Sequence, residues 1–218
     1  MATADRPFKF VTASYLTRIE NQWAADLGGL RQGLEACSDA SIFYHTFQSL
    51  GRHHFLTEGF SNDFAQWILA GLNRPRLAEQ LAGLDIRDYL TLSDLRIDLV
   101  RAIDEFCRES PDEVTRPAFE RFHFCASLEV TAPLGLEAWT LEEFREGLDH
   151  VGHGSFQFHF VSSRLRLQLQ SNDFSVWFAD VLGRERLARL TNQIDIVTET
   201  LDGAKARLAA LVDRELAA

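Results

Sequence analysis

The chain has 218 residues, 46% of them hydrophobic and 25% charged, with a formal net charge of −10. That length can bury a real core in one or two domains. The acidic balance, with Lys9 and Lys205 the only lysines, excludes two classes: a sequence-independent nucleic-acid binder, which needs a basic footprint, and a protein held on an anionic membrane surface.

Residues Met1 to Pro7 carry no apolar signal-peptide region, and no apolar run approaches the length that spans a bilayer. A short strand is expected at Pro7-Phe8-Lys9-Phe10. Asp26 is a good N-cap for a helix ending near Gly33-Leu34. Phe43, Phe47, Leu50 and His54 then follow a helical spacing. Asn62-Asp63 precedes an apolar periodic run, which marks a helix start, and Phe64, Trp67, Ile68, Gly71 and Leu72 share one face of that helix. Pro75 suits a first helical turn, and the helix it opens runs to about Leu84. Thr91 caps a last long helix that buries Leu95, Leu99, Ile103 and Phe106. The polar stretch from Arg108 to Arg116, with Pro111 inside it and Pro117 directly after, reads as a linker. Cys37, Cys107 and Cys125 are odd in number and widely spaced, so they read as reduced thiols of a cytoplasmic protein rather than a disulfide or zinc framework.

The remaining half repeats this order. Asn62-Asp63-Phe64 with Trp67 returns as Asn172-Asp173-Phe174 with Trp177, an offset of 172 − 62 = 110. Leu72, Arg74, Arg76, Leu77-Ala78 and Asp85-Ile86 meet Leu182, Arg184, Arg186, Leu187-Ala188 and Asp195-Ile196 at the same offset. Upstream the offset is 159 − 45 = 114. It pairs Phe8 with Phe122, Phe10 with Phe124, Leu27 with Leu141, Arg31 with Arg145, Gly33-Leu34 with Gly147-Leu148, Ser41 with Ser155 and His45 with His159. One four-residue loop difference between His45 and Asn62 accounts for the change. Held offsets over such a distance point to two copies of one unit of roughly a hundred residues.

The second copy sharpens several assignments. Phe122, Phe124, Ala126, Leu128 and Val130 alternate, which predicts a strand with one buried face. One strand per copy suggests that the two pair with each other, because a lone strand leaves its backbone groups unsatisfied. Thr140-Leu141-Glu142-Glu143 is a capping-box pattern opening a helix through about Val151. Residues 155–170 fit either alternation or a helical face; helix is chosen because homologous copies share a fold. The expected architecture is mainly α (α+β), with about five helices and one short strand per copy, related by a pseudo-twofold axis. The copies span 1–107 and 118–218, joined by a linker at 108–117, and share one interface.

Ser41-Ile42-Phe43-Tyr44-His45, then Asn62-Asp63-Phe64 with Trp67, Leu77-Ala78 and Asp85, and the same order again after Ser155, resembles the prokaryotic domain-of-unknown-function family numbered 5752. The resemblance covers nearly the whole chain. It implies no activity and carries over no catalytic residue. That family's members sometimes stand in genomes beside sugar-metabolism enzymes, which implies a link to carbohydrate metabolism by association alone.

Candidate sites each have a structural alternative. His45 and His159 each lie one element before an Asn-Asp pair. A His–Asp pair with Asp63 or Asp173 could tune an imidazole for acid–base work; the favoured alternative is a buried His satisfied at the start of the next helix. Asn62-Asp63 and Asn172-Asp173 could present carboxylates, but helix capping explains them. His53-His54 meets Leu167 and Gln168 at the 114 offset and so has no twin; adjacent residues on a helix diverge by about 100°, which disfavours one shared metal ion. His150 and His153 read as a polar turn around Gly152. Trp67, Trp177 and the recurring Arg74, Arg76, Arg184 and Arg186 could hold a sugar or sugar-phosphate, although the Trp spacing is that of a core and the Arg residues suit a solvated face. No Walker loop, no GxGxxG, no nucleophile elbow and no paired Cys/His zinc pattern occurs, so neither cofactor nor metal is expected.

Three functions remain open, in this order. The first is a non-catalytic interaction or regulatory protein acting on another protein, with a homo-oligomer allowed. The second is a small-molecule binder. The third is an enzyme using His45 or His159 with Asp63 or Asp173.

Overall fold

The computed structural model describes residues 4–48, 60, 62–195 and 199–218. In chain order the elements are β1 (Phe8–Ala24), α1 (Leu27–Ala36), α2 (Asp39–Phe43) continuing into a π-helical turn (Tyr44–Gln48), α3 (Asp63–Leu72), α4 (Pro75–Ala82) and α5 (Leu92–Glu109). Then follow β2 (Phe122–Ala138), α6 (Leu141–His150), α7 (His153–Gln157) with a second π-helical turn (Phe158–Ser162), α8 (Ser163–Arg166), α9 (Asp173–Asp180), α10 (Glu185–Asn192) and α11 (Leu201–Leu216). The described residues are mostly helical with one two-stranded antiparallel sheet, α+β. Helix, not strand, forms between residues 155 and 166.

The strands differ from expectation. Each is 17 residues long rather than short, and β1 and β2 pair with each other. Only their apolar ends were legible as strand. Past Tyr15, β1 carries Thr17, Arg18, Glu20, Asn21 and Gln22 and no clean alternation, because much of the ribbon faces water and little hydrophobic pattern is demanded of it. Leu128 and Val130 share the parity of Phe122, Phe124 and Ala126, yet they are 49% and 55% exposed. The helical layer covers the strand ends and not its middle.

The chain forms two compact units, and they do not follow the contiguous halves. One unit comprises Met1–Tyr15 with Glu129–Ala218; the other comprises Leu16–Leu128. Residues 108–117 lie wholly inside the second, where the Val114 carbonyl accepts the Gly28 N–H at 2.9 Å and Glu113 pairs with Arg74.

In the first unit, Phe8–Tyr15 runs antiparallel to the later half of β2, and Lys9 pairs with Glu137 at 3.3 Å. Phe8 and Phe10 place their rings among Phe144 of α6, His159 and Phe174, at centroid distances of 4.8 to 6.3 Å. Aromatic rings at such spacing add about 0.5–1.5 kcal/mol per pair beyond their burial. The strand's N-terminal end therefore belongs to these helices. In the Leu16–Leu128 unit, Phe122 and Phe124 fill the same role against His45, Phe64 and Trp67, and Arg121 stacks on Trp23.

The helix starts follow their caps. Asp26, Asn62, Thr91, Thr140 and Asn172 each accept a backbone N–H from the third residue on. Glu143 reaches back to the Trp139 N–H, so the predicted box closes one residue upstream of the cap. Pro75 stands in the first turn of α4. The helices α3 and α9 are each followed by a left-handed residue, Asn73 at φ 51° and Gly183 at φ 64°. A β-carbon at Gly183 would meet nothing within 4 Å, so the strain of a substitution there is conformational alone. Gly183→Ala is expected to cost about 1 kcal/mol and Gly183→Asn distinctly less, as Asn73 occupies this conformation. Urea unfolding of the two variants measures the difference.

Candidate functional site: two His–Asp clips

His159 sits in the π-helical turn Phe158–Ser162. Asp173 is the first residue of α9, and the N-capping is done by Asn172, whose side chain accepts from Ser175 N. This leaves the Asp173 carboxylate for the imidazole. His159 Nδ1 lies 2.8 Å from Asp173 Oδ2. Its Nε2 accepts the backbone N–H of Val11 in β1 at 2.9 Å. An Nε2 that accepts is unprotonated, so Nδ1 carries the proton and donates it to Asp173.

The other unit repeats the arrangement. His45 Nδ1 lies 2.8 Å from Asp63 Oδ2, and His45 Nε2 accepts the N–H of Cys125 at 2.9 Å. Both imidazoles are 4% exposed and each lies against a phenylalanine of the strand, at 4.8 Å for Phe8 and 4.7 Å for Phe122. The predicted His–Asp neighbours are thus brought together twice. A catalytic pair turns its second nitrogen toward a substrate. Here that nitrogen faces a strand amide, and each His clips a strand to the helix that follows it. The capping expectation holds for the Asn residues and not for the Asp residues, which are committed to the imidazoles.

The other candidates do not converge on these clips. Trp67 and Trp177 are 9% and 5% exposed, and their indole N–H groups donate to the carbonyls of Glu120 and Arg6. Arg74 grips Glu113 and also donates to the carbonyls of Leu72 and Asn73. Arg76 pairs with Glu109, Arg184 with Glu215, and Arg186 is exposed. His150 ends α6 on the Glu146 carbonyl, while His153 begins α7 and pairs with Asp202. His53 and His54 lie outside the described residues. Cys37 is buried, Cys107 and Cys125 half-buried, and none is in a disulfide; burial pushes the Cys37 thiol up, with Arg96 opposing.

Several polar side chains beside the His159 clip had no sequence signal. Arg166 donates to Asp173 and lies 4.7 Å over the Phe158 ring. The Tyr15 hydroxyl meets Ser162 Oγ at 2.9 Å, and burial raises its pKa to about 12. Desolvation also raises the Glu129 carboxyl, against the pull of Arg166. Arg164, on α8, is buried.

The geometry defines an α+β protein whose repeated polar pairs are fastened to its own strand backbone. The chain belongs to the family of unknown function DUF5752, whose pattern matches residues 5–213. Among solved structures it is similar to OrfY from Thermoproteus tenax, at 28% identity and a TM-score of 0.86, over 100% of this chain and 99% of that one. No curated protein matches it.

Proposed function

We propose that this chain is a non-catalytic interaction or regulatory protein that acts by binding another protein. The observation that carries the proposal is the commitment of both ring nitrogens in each His–Asp pair to the fold. It speaks against the enzyme reading, whose base would turn a ring nitrogen toward substrate. A docking surface is available in the Leu16–Leu128 unit, where Leu16, Ile19, Trp23 and Leu128 are 58%, 66%, 49% and 49% exposed along the strands. Apolar exposure of this kind along the ribbon, beside strand edges that no third described strand covers, suits a protein partner. The same elements recurring in the same order favour an origin by duplication of one unit, with a pseudo-twofold arrangement of the copies. Cysteines held as thiols favour a cytoplasmic setting, and no described helix is long and apolar enough to cross a membrane. A place in carbohydrate metabolism rests on the family's genomic company alone.

The test is recovery of tagged protein from its own cells, alongside Ile19→Lys. Wild type is expected to bring down a stoichiometric partner, and Ile19→Lys to lose it by about tenfold or more with little change in Tm, as an exposed position predicts. Turnover of a defined substrate by the purified chain, abolished by His159→Gln in a folded protein, would overturn the proposal.

A further inference from the structure

Among the described residues of the Met1–Tyr15 and Glu129–Ala218 unit, one buried arginine has no ion-pair partner. Arg164 is 4% exposed. Its Nε donates to the Phe160 carbonyl at 3.2 Å and its Nη1 to the Leu169 carbonyl at 2.5 Å. The guanidinium carbon stands 5.6 Å from the Phe160 ring centre. Its Nη2 is buried and has no hydrogen-bond partner among the described residues. Two residues on, Arg166 is 45% exposed at its side chain and pairs with Asp173, so the acid nearest in sequence is already taken by the other arginine.

A buried charge is costly unless paired, and a buried donor left unmade forfeits its full desolvation. Burial alone lowers the Arg164 pKa, to about 10, which still leaves the group charged at neutral pH. The two carbonyls supply neutral acceptors, whereas a charge-assisted bond to an oxyanion is roughly twice as strong. The internal repeat adds an independent point. At the 114 offset, which also matches Ser49 with Ser163 and Arg52 with Arg166, the counterpart of Arg164 is Leu50. The repeated unit does not itself call for a cation there. The arginine is a feature of the second copy alone.

We propose that Arg164 is the receptor of a small-molecule oxyanion, a carboxylate or a phosphate, which the free N–H donors of Nη2 bind. Its burial restricts access to a small ligand group and excludes a flat macromolecular surface. This site is independent of the docking surface proposed above.

The experiment is thermal unfolding of the full chain in chloride, acetate and inorganic phosphate at matched ionic strength and pH. Wild type is expected to gain about 4 °C in one of the two oxyanions near ten times its Kd, with saturation. A response to acetate identifies a carboxylate ligand, and a response to phosphate a phosphorylated one. Arg164→Leu, which installs the first copy's residue, is expected to keep or raise the Tm in chloride and to lose the response. If Arg164→Leu does not fold, Arg164→Lys is the second variant, expected to weaken the apparent affinity about tenfold by losing the fork. Equal Tm values for wild type in all three salts would overturn the proposal, as would an unchanged response in the folded variant.

Discussion

His159→Ala is expected to lower the unfolding free energy by about 3–5 kcal/mol, and the Tm by roughly 10 °C or more. Three losses combine. The imidazole fills space among Phe8, Phe10, Phe158 and Phe174 at centroid distances of 4.8 to 6.3 Å, and deleting it opens a cavity that these rings fill poorly. The Val11 N–H in β1 loses its acceptor, a loss of about 1–3 kcal/mol where water cannot replace it. Asp173 loses one donor but retains Arg166, so this contribution is the smallest. His159→Phe separates the packing from the hydrogen bonds. It restores ring volume but leaves the Val11 amide unmet and Asp173 with Arg166 alone, so about 2 kcal/mol of the loss should persist. Urea unfolding of both variants measures the split. A variant as stable as wild type would mean that the His does not clip the strand, and would reopen a chemical role for it.

The clip was half legible in the sequence. The repetition of His45 with His159, and of Asn62-Asp63 with Asn172-Asp173, marked the residues, and buried structural histidines were the favoured reading. The strand amides of Val11 and Cys125 were not legible, because a backbone N–H carries no residue signature. The helices were legible wherever a cap and an apolar face coincided, as at Asn62 with Phe64, Trp67 and Ile68. The strands were legible only at their apolar ends, Phe8 with Phe10 and Phe122 with Phe124 and Ala126, where alternation is enforced by burial. Beyond Leu128 the ribbon faces water and any polar residue serves. The compact units could not be read from contiguous copies, since the same repeat is compatible with Phe8 packing on its own copy's helices or on Phe144 and Phe174. Arg164 gave no signal at all: an arginine two residues before Arg166 in a half-polar segment looks like a surface residue until its burial is known.

Gly147→Ala is expected to destabilise the chain by about 2 kcal/mol, against the usual direction for a helix interior. Gly33 and Gly147 recur in the sequence and suggest helix ends, yet α1 and α6 run three residues further, to Ala36 and His150. The reason for glycine is the close approach of a strand ring. A β-carbon at Gly147 would stand 2.5 and 2.8 Å from Cε2 and Cζ of Phe10. Helix propensity alone would favour alanine by about 1 kcal/mol. Overpacking costs about 1–3 kcal/mol and more where the neighbour cannot yield. Phe10 cannot yield easily: it is 1% exposed, with Phe8 at 4.9 Å and Phe144 at 5.6 Å, so the clash outweighs the propensity. Phe10→Leu shortens the side chain and removes the offending ring atoms. On its own it should destabilise, but in its presence Gly147→Ala should cost little or become favourable, a coupling of about 1 kcal/mol or more in the double-mutant cycle. Additive effects would show that the ring and the glycine do not meet. The same test applies to Gly33, where the added carbon would stand 2.3 Å from the Phe124 ring. Agreement between the two cycles would mean that the recurring glycine is selected by helix–strand contact and not by helix termination.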